Sequence, residues 1–172
     1  MAKFEIAVEK TLEFEGLGKI SDDRFDPGGE TKWGISKASY PEEDIARLTR
    51  DRALALYHRD FWHPLYDQLT EQEVADELFD FGVNTSARGW PKVAVRIFQE
   101  AIRYLTIGPV VIDGMFGPKT LEAANALEPK LLLREFRARQ AYYYADLVIR
   151  QPDASEPDKK RFLLGWLRRV MA

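Results

Sequence analysis

The stretch DPGGETKWGIS, residues 26–36, predicts a turn that leads into a short β segment. Its Asp-Pro-Gly-Gly start is typical of turns, whereas the Thr, Trp and Ile that follow favour extended backbone. We therefore expect a small β ribbon here, either a hairpin or three short strands. Helical spacing of apolar residues is found on both sides, so the ribbon interrupts a chain that is otherwise helical.

The first predicted helix lies before the ribbon. Phe4, Val8 and Leu12 recur at helical spacing on one face, and Gly16 provides a C-terminal stop. After the ribbon, apolar residues recur at helical spacing in five segments, at about 50–61, 71–84, 91–105, 129–149 and 157–170. The sequence thus predicts an α+β fold that is mostly α-helical, with one small β ribbon near the N-terminus.

Composition excludes several kinds of chemistry. The chain has 172 residues, of which 45% are hydrophobic and 31% charged, a balance typical of folded globular proteins. It has no cysteine, which excludes disulfides, thiol nucleophiles and cysteine-bound metals. Its two histidines, His58 and His63, do not match a recurring metal-ligand spacing. We expect no metal and no cofactor.

Charge is divided unevenly along the chain. Residues 1–86 hold 10 basic against 19 acidic residues, a net charge of −9, and residues 87–172 carry a net charge of +6. The basic half either faces an anionic polymer or simply presents solvated helix faces. We expect no nucleic-acid partner, because the sequence contains no helix-turn-helix, zinc-finger or RNA-binding motif and its first half is acidic.

Glu15 is the candidate general acid. It continues the apolar face of Phe4, Val8 and Leu12, and it falls in the last turn of the helix, beside the negative end of the macrodipole. Burial and that negative end both raise the pKa of a carboxyl group. A carboxyl that stays protonated near neutral pH is what general acid catalysis requires. The alternative is a solvated carboxylate at a frayed helix end.

Three more carboxylates, Asp22, Asp23 and Asp26, follow within the next eleven residues, and Thr31 opens the β segment. Glycoside hydrolysis needs a protonated carboxyl beside the leaving oxygen and a second, ionised group across the scissile bond. A helix-end acid that faces an Asp in a Gly-rich turn would provide this pair. Alternatively, the three Asp side chains are ordinary turn formers that bond their own backbone.

Six motifs carry a resemblance to a known family. They are EG at 15–16, DPGGxTxxGIS at 26–36, FW at 61–62, FDxxVN at 79–84, DGxxGPKT at 113–120 and GWxxRV at 165–170. By the first four the chain resembles glycoside hydrolase family 108, bacterial and phage N-acetylmuramidases of lysozyme-like fold, and by the last two its second half is similar to the predicted peptidoglycan-binding region that usually follows. The resemblance implies a lysozyme-like catalytic region at 1–88 and a helical peptidoglycan-binding region at 89–172, packed against it.

The resemblance also implies roles for individual residues. The family's essential catalytic glutamate falls on Glu15. The order of Glu, Asp and Thr resembles phage-type lysozymes, which implies that Thr31 holds the attacking water and that Asp26 is the second carboxylate. Asp22 or Asp23 remains an alternative for that carboxylate.

Two further residues are candidates for substrate binding. Trp33 lies two positions after Thr31, hence on the same face of a strand, where its ring would stack on a saccharide. The alternative is a core position between the ribbon and the helices. Asn84 ends an apolar helix and would hydrogen-bond an N-acetyl group, or else it is a simple helix C-cap.

The leading hypothesis is a peptidoglycan hydrolase that cleaves the β-1,4 bond between N-acetylmuramic acid and N-acetylglucosamine. A lytic transglycosylase and a non-catalytic peptidoglycan-binding module are the alternatives. The expected partner is the glycan strand of peptidoglycan, and we expect a monomer without stable membrane insertion. The first residues lack an apolar core of signal-peptide length. We therefore expect synthesis in the cytoplasm and release to the cell wall by a separate route, as in a phage or prophage endolysin or a bacterial wall enzyme.

Overall fold

The computed structural model describes residues 1–14, 29–86, 88–108, 110–150 and 160–171, without the side chains of residues 14, 160 and 161. Glu15, Asp22, Asp23 and Asp26 lie outside the described residues. Within these ranges the elements follow in the order α1 (Phe4–Phe14), β1 (Thr31–Lys32), β2 (Ile35–Ser36), α2 (Arg50–Phe61), a 3-10 helix (Pro64–Gln68), α3 (Gln72–Thr85), α4 (Lys92–Leu105), α5 (Pro118–Asn125), α6 (Pro129–Ile149) and α7 (Lys160–Val170).

The predicted α+β fold is confirmed. The described chain is mostly helical, and the ribbon is a two-stranded antiparallel hairpin in which Thr31 faces Ser36 and Lys32 faces Ile35. The helices predicted at 50–61 and 129–149 have those bounds in the structure. The 3-10 helix is not predicted, because its five residues are too few to show a helical period.

The apolar face predicted for α1 is buried. Phe4, Val8 and Leu12 are almost completely shielded from solvent, as are Ala7 and Thr11 beside them. This face packs against α3 and, to a lesser extent, against α2. Its burial fixes the direction in which α1 approaches residue 15.

Helix α3 lies at the centre of the molecule, in contact with α1, α2, α4 and α6. Two of its aromatic residues face opposite parts of the chain. The ring of Phe79 contacts Phe4 at 5.7 Å between centroids, whereas the ring of Phe81 contacts Phe136 of α6, also at 5.7 Å. Both phenylalanines are fully buried. The first and second halves of the chain therefore share one hydrophobic core.

A close approach joins α3 to the start of α4. A Cβ atom at Gly82 would lie 2.9 Å from the Cβ of Pro91, so only glycine lets these two segments meet without displacement. Pro91 is the N-cap residue of α4, which begins at Lys92, one position after the predicted start at about residue 91. The absence of an N–H on proline costs nothing there, because helix N-termini leave their first N–H groups unpaired.

The DG turn at 113–114 is held by the buried side chain of Gln99 on α4. The Gln99 Oε1 accepts hydrogen bonds from the backbone N–H groups of Asp113 and Gly114, at 3.0 and 2.8 Å. Its Nε2 donates to the carboxylate of Asp113 and to the carbonyl oxygen of Met115, at 2.9 and 3.0 Å. Gly114 adopts a φ of +75°, and a Cβ there would lie 2.9 Å from the carbonyl oxygen of Lys92. One amide thus fixes the loop before α5 to α4.

Candidate active site

The end of α1 is anchored by two polar contacts to α3. The Thr11 hydroxyl donates a hydrogen bond of 2.9 Å to the Asp80 carboxylate, and Lys10 forms an ion pair with Asp76. Thr11 is completely buried, four positions before the predicted acid Glu15. The last full turn of the helix that leads to Glu15 is therefore held in place from the side.

Thr31 begins the first strand of the hairpin and is half-buried. Its hydroxyl donates a hydrogen bond of 3.0 Å to the carbonyl oxygen of Gly29. A hydroxyl that donates its proton in one hydrogen bond can still accept others through the lone pairs of its oxygen. Thr31 can therefore accept a hydrogen bond from a water molecule.

The predicted position of Trp33 on the same strand face as Thr31 is wrong. Trp33 and Gly34 form the turn between β1 and β2, and Trp33 has a positive φ of 55°. The strands are only two residues long, so the alternation of side chains ends before it reaches Trp33. Its carbonyl oxygen accepts a hydrogen bond of 2.9 Å from the Tyr57 hydroxyl, and its partly buried ring packs against the core.

Asn84 lies in the last turn of α3, but it is not the C-cap, which is Ser86. The Asn84 Nδ2 donates a hydrogen bond to the Tyr144 hydroxyl of α6. Tyr144 is buried and stacks on Trp166 of α7, with 5.0 Å between ring centroids. Asn84 thus connects the predicted site to the second half of the chain.

Asp80 forms a bidentate polar link between the two halves. Arg169 of α7 donates two hydrogen bonds to its carboxylate, one from Nε at 2.7 Å and one from Nη2 at 2.9 Å. The side chain of Arg169 is 13% exposed and that of Asp80 is 19% exposed. The same carboxylate accepts from Thr11, so α7 is joined through α3 to the end of α1. Sequence reasoning placed the two residues in separate motifs and missed the pair.

A second buried carboxylate lies one turn earlier on α3. Glu77 accepts hydrogen bonds from Arg137 at 2.8 Å and from Gln140 at 3.0 Å, both on α6. Burial raises the pKa of Glu77, and its bonds to Arg137 and Gln140 oppose that rise. The face that α3 turns toward the second half is thus charged as well as aromatic.

The segment after the hairpin is fixed to α2 by a charged cluster around Asp60. The Tyr40 hydroxyl donates a hydrogen bond of 2.9 Å to Asp60, and Arg59 donates two more, at 2.7 and 2.6 Å. Arg88, in the loop after α3, lies 4.9 Å from the centroid of the Tyr40 ring and forms a 2.7 Å ion pair with Glu42. The bonds from Arg59 lower the pKa of Asp60, with a further contribution from Tyr40.

We expect Asp60→Asn to lower the free energy of unfolding by about 1–2 kcal/mol at pH 7, because it weakens charge-assisted hydrogen bonds. Because the pKa of Asp60 is lower in the folded state than in the unfolded chain, its ionised carboxylate stabilises the fold at pH values above the ordinary pKa of about 4. This stabilisation is lost as the pH falls through the pKa of the folded state. The difference between variant and wild type should therefore shrink below about pH 4. Urea unfolding at pH 7 and pH 3 measures it.

The matched control for that measurement is Asp51→Asn, an exposed position in the first turn of the same helix. It should change the free energy of unfolding by less than about 0.5 kcal/mol at both pH values. An equal effect of the two substitutions would show that the charged cluster contributes no specific stability.

The histidines take part in packing. His58 lies edge-on to Phe4 at 4.8 Å, and the Nδ1 of His63 caps the 3-10 helix by accepting from the N–H of Leu65. In the described ranges, His, Asp and Glu side chains form no group of three or more that could hold a metal ion. Among the helices of the described chain, none is both long and apolar enough to cross a membrane.

The architecture also occurs in a solved structure. SagA of Brucella abortus is similar with a TM-score of 0.74, at 22% sequence identity, over 98% of this chain and 89% of that one. No curated protein matches the chain in sequence. The fold is that of the lysozyme-like proteins, in which helices surround a small β ribbon.

Family models match both halves of the sequence. Residues 8–85 match glycosyl hydrolase 108, and residues 93–171 match the predicted peptidoglycan domain. The chain therefore carries a glycosyl hydrolase 108 region in its first half and a predicted peptidoglycan domain in its second half. These two regions make it a glycoside hydrolase that acts on peptidoglycan.

Proposed function

We propose that the protein is an N-acetylmuramidase, a lysozyme that hydrolyses the β-1,4 bond between N-acetylmuramic acid and N-acetylglucosamine. Glu15 is the general acid, and Asp26 and Thr31 position the water. The observation that carries the proposal is the burial of Phe4, Val8 and Leu12 on α1, since Glu15 continues this face in sequence. A carboxyl group in such a place stays protonated more readily than one in water.

The chemistry requires two proton movements. Glu15 donates its proton to the glycosidic oxygen of the leaving sugar, and the bond between that oxygen and the anomeric carbon breaks. Water attacks the same carbon, and the second carboxylate, assigned to Asp26, takes the proton that this water loses. Thr31 fixes the water by accepting a hydrogen bond from it, since its own proton is committed to Gly29.

Trp33 and Asn84 are proposed to contact the substrate. The half-buried ring of Trp33 lies at the tip of the hairpin, two residues beyond Thr31. Asn84 is half-buried at the end of α3, where its amide would hydrogen-bond an N-acetyl group. We further propose action as a monomer on the cell wall, where peptidoglycan is found, and a division of the chain into a catalytic region at 1–88 and a peptidoglycan-binding region at 89–172.

Product analysis tests the bond and the reaction type. We expect wild-type digestion of purified peptidoglycan to release fragments that end in a reducing N-acetylmuramic acid, identified by mass spectrometry after borohydride reduction. Fragments with a 1,6-anhydro end are lighter by one water and would make the enzyme a lytic transglycosylase. Reducing N-acetylglucosamine ends would place the cut at the other glycosidic bond and overturn the muramidase assignment.

A comparison of three substitutions tests the second carboxylate. Asp26→Asn should slow the release of reducing ends, whereas Asp22→Asn and Asp23→Asn should have much smaller effects. If one of the latter two is the damaging substitution and Asp26→Asn is harmless, the role belongs to that residue.

A further inference from the structure

A groove with a volume of about 580 Å³ runs between α4 and α6, in the second half of the chain. This volume falls within the range of about 300–1,000 Å³ that is typical of ligand pockets. Its lining includes the apolar residues Val93, Ile97 and Ala138. Neither Thr31 nor Asn84 lines it.

Two exposed tyrosines line the groove, one on each helix. Tyr104 of α4 is 71% exposed and Tyr142 of α6 is 72% exposed. The guanidinium carbon of Arg139 lies 5.2 Å from the centroid of the Tyr104 ring, which supports one face of that ring. Large exposed aromatic rings that flank a concave surface are typical of binding sites, because they offer contact area at a small cost in conformational entropy.

The charged residues of the groove are largely paired with one another. Arg139 forms a 2.8 Å ion pair with Glu135 and lies 3.8 Å from Glu100, which is also 4.0 Å from Arg96. With Asp146, the lining holds three acidic and two basic residues, a net charge of −1. An anionic ligand would gain little from such a surface, whereas a neutral ligand with many hydroxyl groups would find both donors and acceptors.

We propose that the groove between α4 and α6 binds the uncharged glycan backbone of peptidoglycan, as a site separate from the catalytic centre. The inference rests on the proposed function only for the identity of the polymer. The whole lining lies within residues 93–171, which match the predicted peptidoglycan domain, although that match assigns no binding residues.

The glycan backbone suits the groove chemically. A pyranose ring presents a face of C–H groups that packs on an aromatic ring, which Tyr104 and Tyr142 provide. Its hydroxyl and acetamido groups bond to carboxylates and guanidinium groups such as Glu100 and Arg96. In the intact wall the lactyl carboxyl of muramic acid is bound in an amide, so the backbone is neutral. The stem peptides carry free carboxylates and fit a groove of net charge −1 less well.

The test measures binding in the full chain with the Glu15→Gln substitution, so that the polymer stays intact. The probe is glycan strands from which an amidase has removed the stem peptides and whose freed lactyl carboxyls have then been coupled to methylamine, so that the backbone is neutral as in the intact wall. The double substitution Tyr104→Ala and Tyr142→Ala should weaken the affinity for these strands about 10-fold or more, because two stacking surfaces are lost. Hydrogen exchange on binding should show protection over residues 93–105 and 135–146.

Ile149→Ala is the matched control, since Ile149 is an exposed apolar residue of the same helix that does not line the groove. It should bind the strands as tightly as the Glu15→Gln chain alone. Unchanged affinity of the double tyrosine variant would overturn the proposal, as would tighter binding of free stem peptides than of peptide-free strands. Thermal unfolding of each variant verifies that it is folded. We expect all of them to fold, because the substituted side chains are exposed.

This outcome is separable from that of the muramidase proposal. If the chain with Glu15 intact releases no reducing ends but the tyrosine substitutions still weaken binding, the muramidase assignment fails and the groove stands. If it releases muramic ends while the tyrosine substitutions leave binding unchanged, the groove fails and the muramidase assignment stands.

Discussion

The Glu15→Gln variant should release reducing ends from peptidoglycan about 100- to 10,000-fold more slowly than the wild type, the range that a general acid contributes. Glutamine has nearly the same shape as glutamic acid, so the substitution changes the chemistry of the side chain and not its size. Its amide does not transfer a proton to the glycosidic oxygen at any useful rate. Turbidity clearing of purified peptidoglycan, with counting of reducing ends, measures the loss.

Glu13→Gln is the matched control for that variant. Glu13 lies in the last turn of α1, two positions before Glu15 in the sequence, and it is exposed, so its substitution makes the same chemical change at a neighbouring position. It should retain the wild-type rate within about twofold. Full lytic activity of Glu15→Gln would disprove the assignment, and an equal loss in both variants would show that the effect is not specific to Glu15.

The substitution Arg169→Met should lower the free energy of unfolding by about 2–4 kcal/mol. It removes two hydrogen bonds from Asp80 and leaves a largely buried carboxylate with Thr11 as its remaining described bond partner. Loss of one partner from a buried ion pair costs about 3–5 kcal/mol, and the partial exposure of both side chains reduces this figure. Urea unfolding at pH 7 measures the change.

Arg168→Met provides the comparison on the same helix, because Arg168 is exposed. It should change stability by less than about 0.5 kcal/mol. In an Asp80→Leu background, Arg169→Met should cost clearly less than it does alone, since no buried charge is then left behind. Equal costs in both backgrounds would show that the contribution of Arg169 does not depend on Asp80.

Local signals in the sequence predicted the elements well. The spacing of Phe4, Val8 and Leu12 predicted the buried face of α1, and the turn and strand residues at 26–36 predicted a small β ribbon, which is a two-stranded hairpin in the structure. Both depend on interactions between residues close in the chain, which periodicity and turn chemistry report directly. The placement of Trp33 failed because periodicity does not show where so short a strand ends.

The polar contacts between distant segments could not be predicted in this way. Asp80 and Arg169 are 89 residues apart, and a helical period indicates which face a residue occupies but not what covers that face. The same holds for Asn84 and Tyr144, which meet only because α3 packs against α6. The sequence placed Asn84 only within its own helix, as a substrate contact or a C-cap, and could not show its bond to α6. The C-cap of that helix is Ser86.

The central position of α3 has a consequence for how this enzyme handles an insoluble polymer. Two regions joined by a flexible linker can bind different strands of a polymer over a range of distances. Here Phe79 and Phe81 lie two residues apart on α3. Phe79 packs against α1 of the first region and Phe81 against α6 of the second, so the regions cannot separate without opening the core. The distance between Thr31 and the groove of α4 and α6, the two proposed places of contact with the wall, is therefore fixed by the shared core.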